Sequence, residues 1–176
     1  MISPSRRLDF TEIPVIDIGP LIHQEQSEPC IDALRTACSK VGFFYVRNHQ
    51  IPLSLIQEVR AAADAFFCAP DEEKMALAIT PQITGYLPLA YRSYEGEDRA
   101  GTSHQEGFWI GHDRPASAQS PLDGPNRWPE QYPSLKSTML RYFDETERLA
   151  GVLLRGFSLA LGLEPDHLSR YFEAPL

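Results

Sequence analysis

Apolar positions change their spacing several times along the chain, and each change marks an element. Val15, Ile16 and Ile18 cluster in FTEIPVIDI, residues 10–18, and predict a short first strand with Pro14 at its start or on an edge. Gly19-Pro20 closes it, and residues 23–28 form a polar connector. Ile31, Leu34, Ala37, Cys38 and Val41 then recur at helical intervals and predict one apolar helix face. That helix starts near Ser27, with Pro29 in its first turn, where a missing N–H costs little, and Gly42 ends it. The run GFFYV, residues 42–46, is continuous rather than alternating, which predicts a strand covered on both faces. Asn48-His49-Gln50 turns the chain, with His49 completing the turn through hydrogen bonds.

Helical spacing returns from Pro52 to Phe67, with Leu53, Ile56, Val59, Ala63, Phe66 and Phe67 on the buried side. Asp71 is a candidate N-cap of a short third helix whose acids suit its positive end. Glycine and proline then punctuate residues 80–133 densely, so this stretch reads as loop with one or two short strands, best at Glu106–Ile110. A loop that long is more often functional than not. Tyr132 to Leu163 predicts a long helix, striped by Leu135, Met139, Tyr142, Phe143, Thr146, Leu149, Ala150, Leu153 and Phe157. Its second half, LAGVLLRGFSLAL, is apolar nearly all round and needs cover on most of its circumference. Gly162 is its stop, and Asp166 to Phe172 reads as a short last helix. The pattern is α+β and helix-rich, read as one domain over residues 1–176 with a core at 10–115 and a long-helix segment at 132–163.

Composition narrows the function classes. A net charge of -8 without clustered Lys and Arg argues against nucleic acid. No apolar run approaches the ~18 residues of a membrane span, and residues 1–7 hold no apolar segment of a secretory signal. Cys30, Cys38 and Cys68 have no metal-ligand spacing and read as free thiols, which gives a cytoplasmic expectation.

Six strings, in order and at consistent spacing, resemble one enzyme superfamily: IPVIDIGPL at 13–21, VGFFYVRNHQIP at 41–52, FFCAPDEEK at 66–74, Gly85-Tyr86, Glu106-Gly107-Phe108, and LAGVLLRGFSLALGL at 149–163. The chain resembles the N-terminal region of the isopenicillin N synthase-like, 2-oxoglutarate- and Fe(II)-dependent dioxygenases. The resemblance implies a long helix, a small incomplete sheet, and a jelly-roll (double-stranded β-helix) barrel most of which is expected to lie outside this chain. Members hold iron with a His-x-Asp pair and a distal His, and many grip 2-oxoglutarate through an Arg-x-Ser. No His-x-Asp occurs in these residues, so no catalytic or metal ligand carries over. Fe(II) and 2-oxoglutarate are implied for the intact enzyme and not for the chain, which is expected to be inactive alone. Its implied partners are a missing or separately encoded jelly-roll catalytic domain and a small-molecule substrate.

By the same resemblance Tyr86, Leu87, Tyr91, Arg92 and Phe108 are substrate-pocket candidates, set against a reading in which they pack as loop residues on the core. His104-Gln105-Glu106 with His167 could imitate an iron triad, but a proline-rich loop and a long helix intervene, and coincidence is the favoured reading. Glu106 is expected to be ion-paired or at the surface unless burial raises its pKa into acid–base use. His112-Asp113 reads as a solvated turn. A degenerate, stand-alone protein-interaction module is the second reading. Both readings expect uncovered apolar surface along Leu149–Leu161 or around the first two strands, and with it self-association.

Overall fold

A computed structural model describes residues 13–89, 93–94, 101–102, 105–115 and 124–172. The elements are β1 (Val15–Asp17), α1 (Gly19–His23), α2 (Glu28–Lys40), β2 (Tyr45–Arg47), α3 (Leu53–Phe67), α4 (Asp71–Met75), β3 (Gly85–Leu87), β4 (Ser93–Tyr94), β5 (Gly101–Thr102), β6 (Gly107–Trp109), α5 (Pro133–Ala160) and a terminal 3-10 turn (Ser169–Phe172). The described sheets are all two-stranded: β1–β2, β3–β6 and β4–β5. The chain is therefore helix-rich with small sheets, as its pattern predicts. Contacts divide it into two compact units, Met1–Pro52 with Phe143–Pro175, and Leu53–Tyr142.

In the first unit, β1 and β2 run parallel, with Val15 opposite Tyr45, Ile16 opposite Val46 and Asp17 opposite Arg47. Side chains alternate across a strand, so Ile16 and Ile18 turn inward onto Leu21, Cys30, Leu34 and Ala37. Leu149, Val152, Leu153 and Phe157 of α5 pack against this core. Gly156 allows that approach, because a Cβ there would lie 2.8 Å from a Leu34 methyl and 2.9 Å from a Leu21 methyl. Ser158, fully buried, satisfies its hydroxyl by donating to the Leu154 carbonyl and accepting from the Leu168 N–H. At the strand ends Asp17 accepts from the Gly19 N–H and the Asn48 amide, at 3.0 and 2.7 Å. Arg47 pairs with the same carboxylate.

Several expectations need correction here. The Gly19-Pro20 stop is instead the start of α1, with Pro20 in its first turn and Gln24 ending it in the left-handed region. On α2 the buried positions are Cys30, Leu34 and Ala37, while Cys38 is exposed. The stripe is centred one helical flank away from the predicted one, because β1 and α5 set which side is covered. The GFFYV strand is not covered on both faces. Phe43 is 51% exposed, and Val15 and Tyr45 are each 61% exposed, directly opposite one another. With Ile13 they form the uncovered apolar surface expected around the first two strands. The second half of α5 is mostly half-buried, with Leu161 exposed beyond its end.

In the second unit, α3 buries Leu55, Ala62 and Phe66. Leu53, expected inside, is 68% exposed, because the buried side of α3 runs through Leu55, which is 2% exposed in the same turn, and on to Ala62 and Phe66. Pro70, not Asp71, occupies the N-cap of α4, and Asp71 begins the helix. Antiparallel pairing sets Gly85 opposite Trp109, Tyr86 opposite Phe108 and Leu87 opposite Gly107. Ala78 bridges Tyr86 from the other edge. Phe66, Ala62, Tyr86 and Leu135 form the core, flanked by Phe67, Leu77, Phe108, Trp128, Tyr132 and Met139.

Candidate functional site

Three of the six recognised strings meet in the second unit. Lys74, from the acidic α4, is only 6% exposed. Its ammonium lies 3.1 Å from Glu106, 3.2 Å from Asp71 and 3.3 Å from the Phe67 carbonyl. It also stands 5.4 Å over the Tyr86 ring, a cation–π distance. Tyr86, on β3, donates its hydroxyl to Glu106 at 2.6 Å. Glu106, just ahead of β6, thus joins a phenol and an ammonium that are distant in sequence. Behind them Phe66 meets Phe67, Tyr86, Phe108 and Tyr132 edge-on.

The charges in this cluster are mutually stabilising. The Tyr86 hydrogen bond foremost, opposed by burial and aided by Lys74, holds the Glu106 carboxyl below its ordinary 4.5. Burial works against the Lys74 charge, but the bonds to Glu106, Asp71 and Tyr86 outweigh it and raise its pKa. Burial and the Glu106 bond push the Tyr86 phenol above 10.0. An acid–base role for Glu106 needs the opposite shift, so the ion-paired reading fits its geometry.

A pH dependence follows from these directions. Folded Glu106 binds protons more weakly than unfolded Glu106, so its contribution to stability is present above about pH 4.5 and is lost as pH falls through the lower folded value. Lys74 and Tyr86 are shifted up. Their contributions are full below about pH 10 and are lost as pH rises through the folded values. Unfolding followed by Trp128 emission is expected to show both limbs, with Glu106→Gln flattening the acid one; an unchanged acid limb in that variant rules the coupling out.

A segment without regular structure, Asn126-Arg127-Trp128-Pro129, completes the surroundings and was not foreseen from the sequence. Arg127 donates to the Ala78 and Ala76 carbonyls at 2.8 and 2.7 Å, capping the chain after α4. Asn126 accepts from the Gly111 N–H, donates to the Gly111 carbonyl, and gives its own N–H to Asp113. Trp128 packs on Phe108 at 5.9 Å, and its buried indole N–H has no partner among the described residues. A cavity of about 440 Å³ lies beside it, edged by Glu72, Glu73 and Glu130. The only sequence signal for this segment was the density of proline and glycine, which reads as loop.

Of the pocket candidates, Tyr86 and Leu87 are buried and Phe108 is half-buried, with Tyr86 and Phe108 turned into the aromatic core. Tyr91 and Arg92 lie outside the described residues, as does His104 of the triad imitation. His112-Asp113 sits at the loop base, where Asp113 accepts the Asn126 N–H. Among the described residues no group of three or more His, Cys, Asp or Glu is placed to hold a metal ion. No helix among them is long and apolar enough to cross a membrane. A larger cavity, about 620 Å³, opens in the first unit at the ends of β1 and β2. Its polar groups largely satisfy one another: Asn48 bonds Asp17, Gln50 bonds His23, and His49 accepts the Ile51 N–H as the turn reading expects.

Comparison with known proteins adds what the geometry leaves open. Residues 13–131 match the family described as the N-terminal region of the non-haem dioxygenase in morphine synthesis. Homoarginine-6-hydroxylase 2-ODD-C23 of Glycine max is 31% identical over 169 residues, which cover 90% of this chain and 51% of the hydroxylase. A full-length Neurospora crassa protein, crystallised in complex with alpha-KG (2-oxoglutarate), superposes with a TM-score of 0.72 at 22% identity, covering 92% of this chain and 52% of its own. The same protein is known with thymine bound. JOX2, solved with 2OG, Fe and JA, has a TM-score of 0.68 at 24% identity, covering 99% of this chain and 48% of JOX2. The chain spans about half the length of the curated relatives it matches.

Proposed function

The chain belongs to the non-haem dioxygenase N-terminal family of the 2-oxoglutarate- and Fe(II)-dependent oxygenases, and on that premise we propose that it is the N-terminal part of an oxidoreductase that oxidises a small molecule. The observation that carries the reading is the family match over residues 13–131 in a chain covering half of its oxygenase relatives. In the intact enzyme iron(II) and 2-oxoglutarate supply the oxidising chemistry, as the molecules bound to JOX2 suggest. The residues present do not fit the metal: there is no His-x-Asp in the sequence, and no three-ligand group among the described residues. Both groups are therefore assigned to a jelly-roll domain beyond these 176 residues, and this chain to a supporting role on the substrate side. Three free cysteines are consistent with a reducing, cytoplasmic setting.

The exposed apolar face of β1 and β2 keeps a second reading in play, a stand-alone module that binds a protein partner or a second copy through that face. Expression of the 176-residue chain and of the longest reading frame containing it separates the two. The longer product is expected to release succinate from 2-oxoglutarate and the chain alone to release none. Iron binding at one per chain with succinate release by the short form would sink the part-enzyme reading. A reading frame with no His-x-Asp barrel in it or beside it transfers the case to the module.

A further inference from the structure

The β3–β6 ribbon has two unlike faces. Residues directly opposite in an antiparallel pair share a face, so Tyr86 and Phe108 occupy one face, and Leu87, Trp109, Gly85 and Gly107 the other. The first face is closed. Phe66 packs on both rings, at 6.0 and 4.9 Å, and the Tyr86 hydroxyl is committed to Glu106. No ligand reaches Tyr86 or Phe108 from that side without dismantling the core.

The second face is different. Trp109 is 42% exposed, and the residue opposite it is a glycine. Its indole leans along the strand over Gly107, where a Cβ would meet the indole nitrogen at 3.3 Å. The indole N–H makes no hydrogen bond among the described residues. The backbone beneath it is nevertheless held on both sides, by pairing with β3 and by the Asn126 amide clasping Gly111 two residues on. A large, flat, exposed ring whose donor has no partner among the described residues, mounted on pinned backbone, has the properties of a positioning surface for a ligand.

We propose that Trp109 is the substrate-facing and specificity-determining side chain of this ribbon, stacking on a flat part of the substrate and donating its indole N–H to an acceptor such as a carbonyl oxygen, while Leu87 on the same face is buried and serves as support. The assignment rests on the part-enzyme reading given above. It makes Tyr86 and Phe108 the support for the ribbon and not its contact with substrate. The Lys74–Glu106–Tyr86 cluster acts from behind, fixing the face that carries the indole.

The test uses the full-length product of the reading frame that contains these residues, with thymine as a flat, carbonyl-bearing probe and homoarginine as an aliphatic cationic one. Thymine binding by equilibrium dialysis is expected to weaken about tenfold in Trp109→Ala and less than about threefold in Trp109→Phe, which keeps a flat ring without the donor. Homoarginine binding is expected to change less than thymine binding in both. Thermal melting of each variant should match the parent, since the side chain is exposed. The emission difference between the parent and Trp109→Phe isolates Trp109 from the half-buried Trp128, and thymine is expected to shield it from iodide. Absence of thymine binding, or equal affinity in Trp109→Ala, overturns the assignment. So does an indole already shielded from iodide before thymine is added, because polypeptide and not substrate then covers it. Turnover of 2-oxoglutarate without added substrate is measured in parallel, so that loss of the part-enzyme reading is recognised separately from loss of the Trp109 assignment.

Discussion

Phe66→Ala is expected to lower the stability of the second unit by about 4 kcal/mol. Phe66 is 1% exposed and touches four aromatic rings at centroid distances of 4.9 to 6.2 Å. Truncation removes the ring and leaves a hole lined by groups too rigid to collapse into it. Domains are stable by only about 5–15 kcal/mol, so a change of that size puts the unit near its unfolding threshold. The urea midpoint followed by Trp128 emission measures it. Phe66→Leu, which keeps most of the volume, is the control and is expected to cost less than about 2 kcal/mol. A Phe66→Ala midpoint within error of the parent would mean that the aromatic cluster is not the core of this unit.

Gly85→Ala is the second large effect. Gly85 has φ +112, and a Cβ there would lie 2.5 Å from the Leu77 carbonyl oxygen and 3.2 Å from that of Ala78. Neither is the loose end of a side chain. The Leu77 carbonyl accepts the Tyr86 N–H at 2.7 Å, and the Tyr86 carbonyl accepts the Ile79 N–H at 2.8 Å. The added carbon must therefore break one of these bonds or displace β3. Backbone strain of about 1–3 kcal/mol adds to a clash of similar size, for a total of about 2–6 kcal/mol. Hydrogen exchange at the Tyr86 and Ile79 amides reports it directly, and both are expected to lose protection. Retained protection at both would show that the turn accommodates a side chain.

Phe66 was legible as a buried helix position, and Gly85 as part of a recognised string, but what each one touches was not. The first strand was legible because Val15, Ile16 and Ile18 follow Pro14 in a β-branched run. The onset of α2 was legible because Ser27-Glu28-Pro29 is a helix start in three residues. Helix α1 was not, since five residues are too few for periodicity to register. Cys38 was misplaced because a helical wheel offers two flanks and only the neighbours choose between them. The continuous GFFYV run reads as doubly buried, yet a run of apolar residues cannot say whether its outer cover belongs to the same chain. Lys74, Tyr86 and Glu106 each stood in a recognised string. Their meeting was invisible because it depends on the β3–β6 register, which no local pattern encodes. Trp109 passed unnoticed for the same reason: one step of register decides whether Phe108 or Trp109 faces inward.

Asn126 gathers three hydrogen bonds at the foot of the connection that leaves the ribbon after Gly111 and returns to it. One amide thus holds the backbone past the last paired residue of β6, where no strand hydrogen bond reaches. Asn126→Ala would leave the part-buried Gly111 N–H and carbonyl without that partner, at about 1–3 kcal/mol for each group stranded. The tryptophan-bearing strand is in this sense moored by a single side chain at its far end.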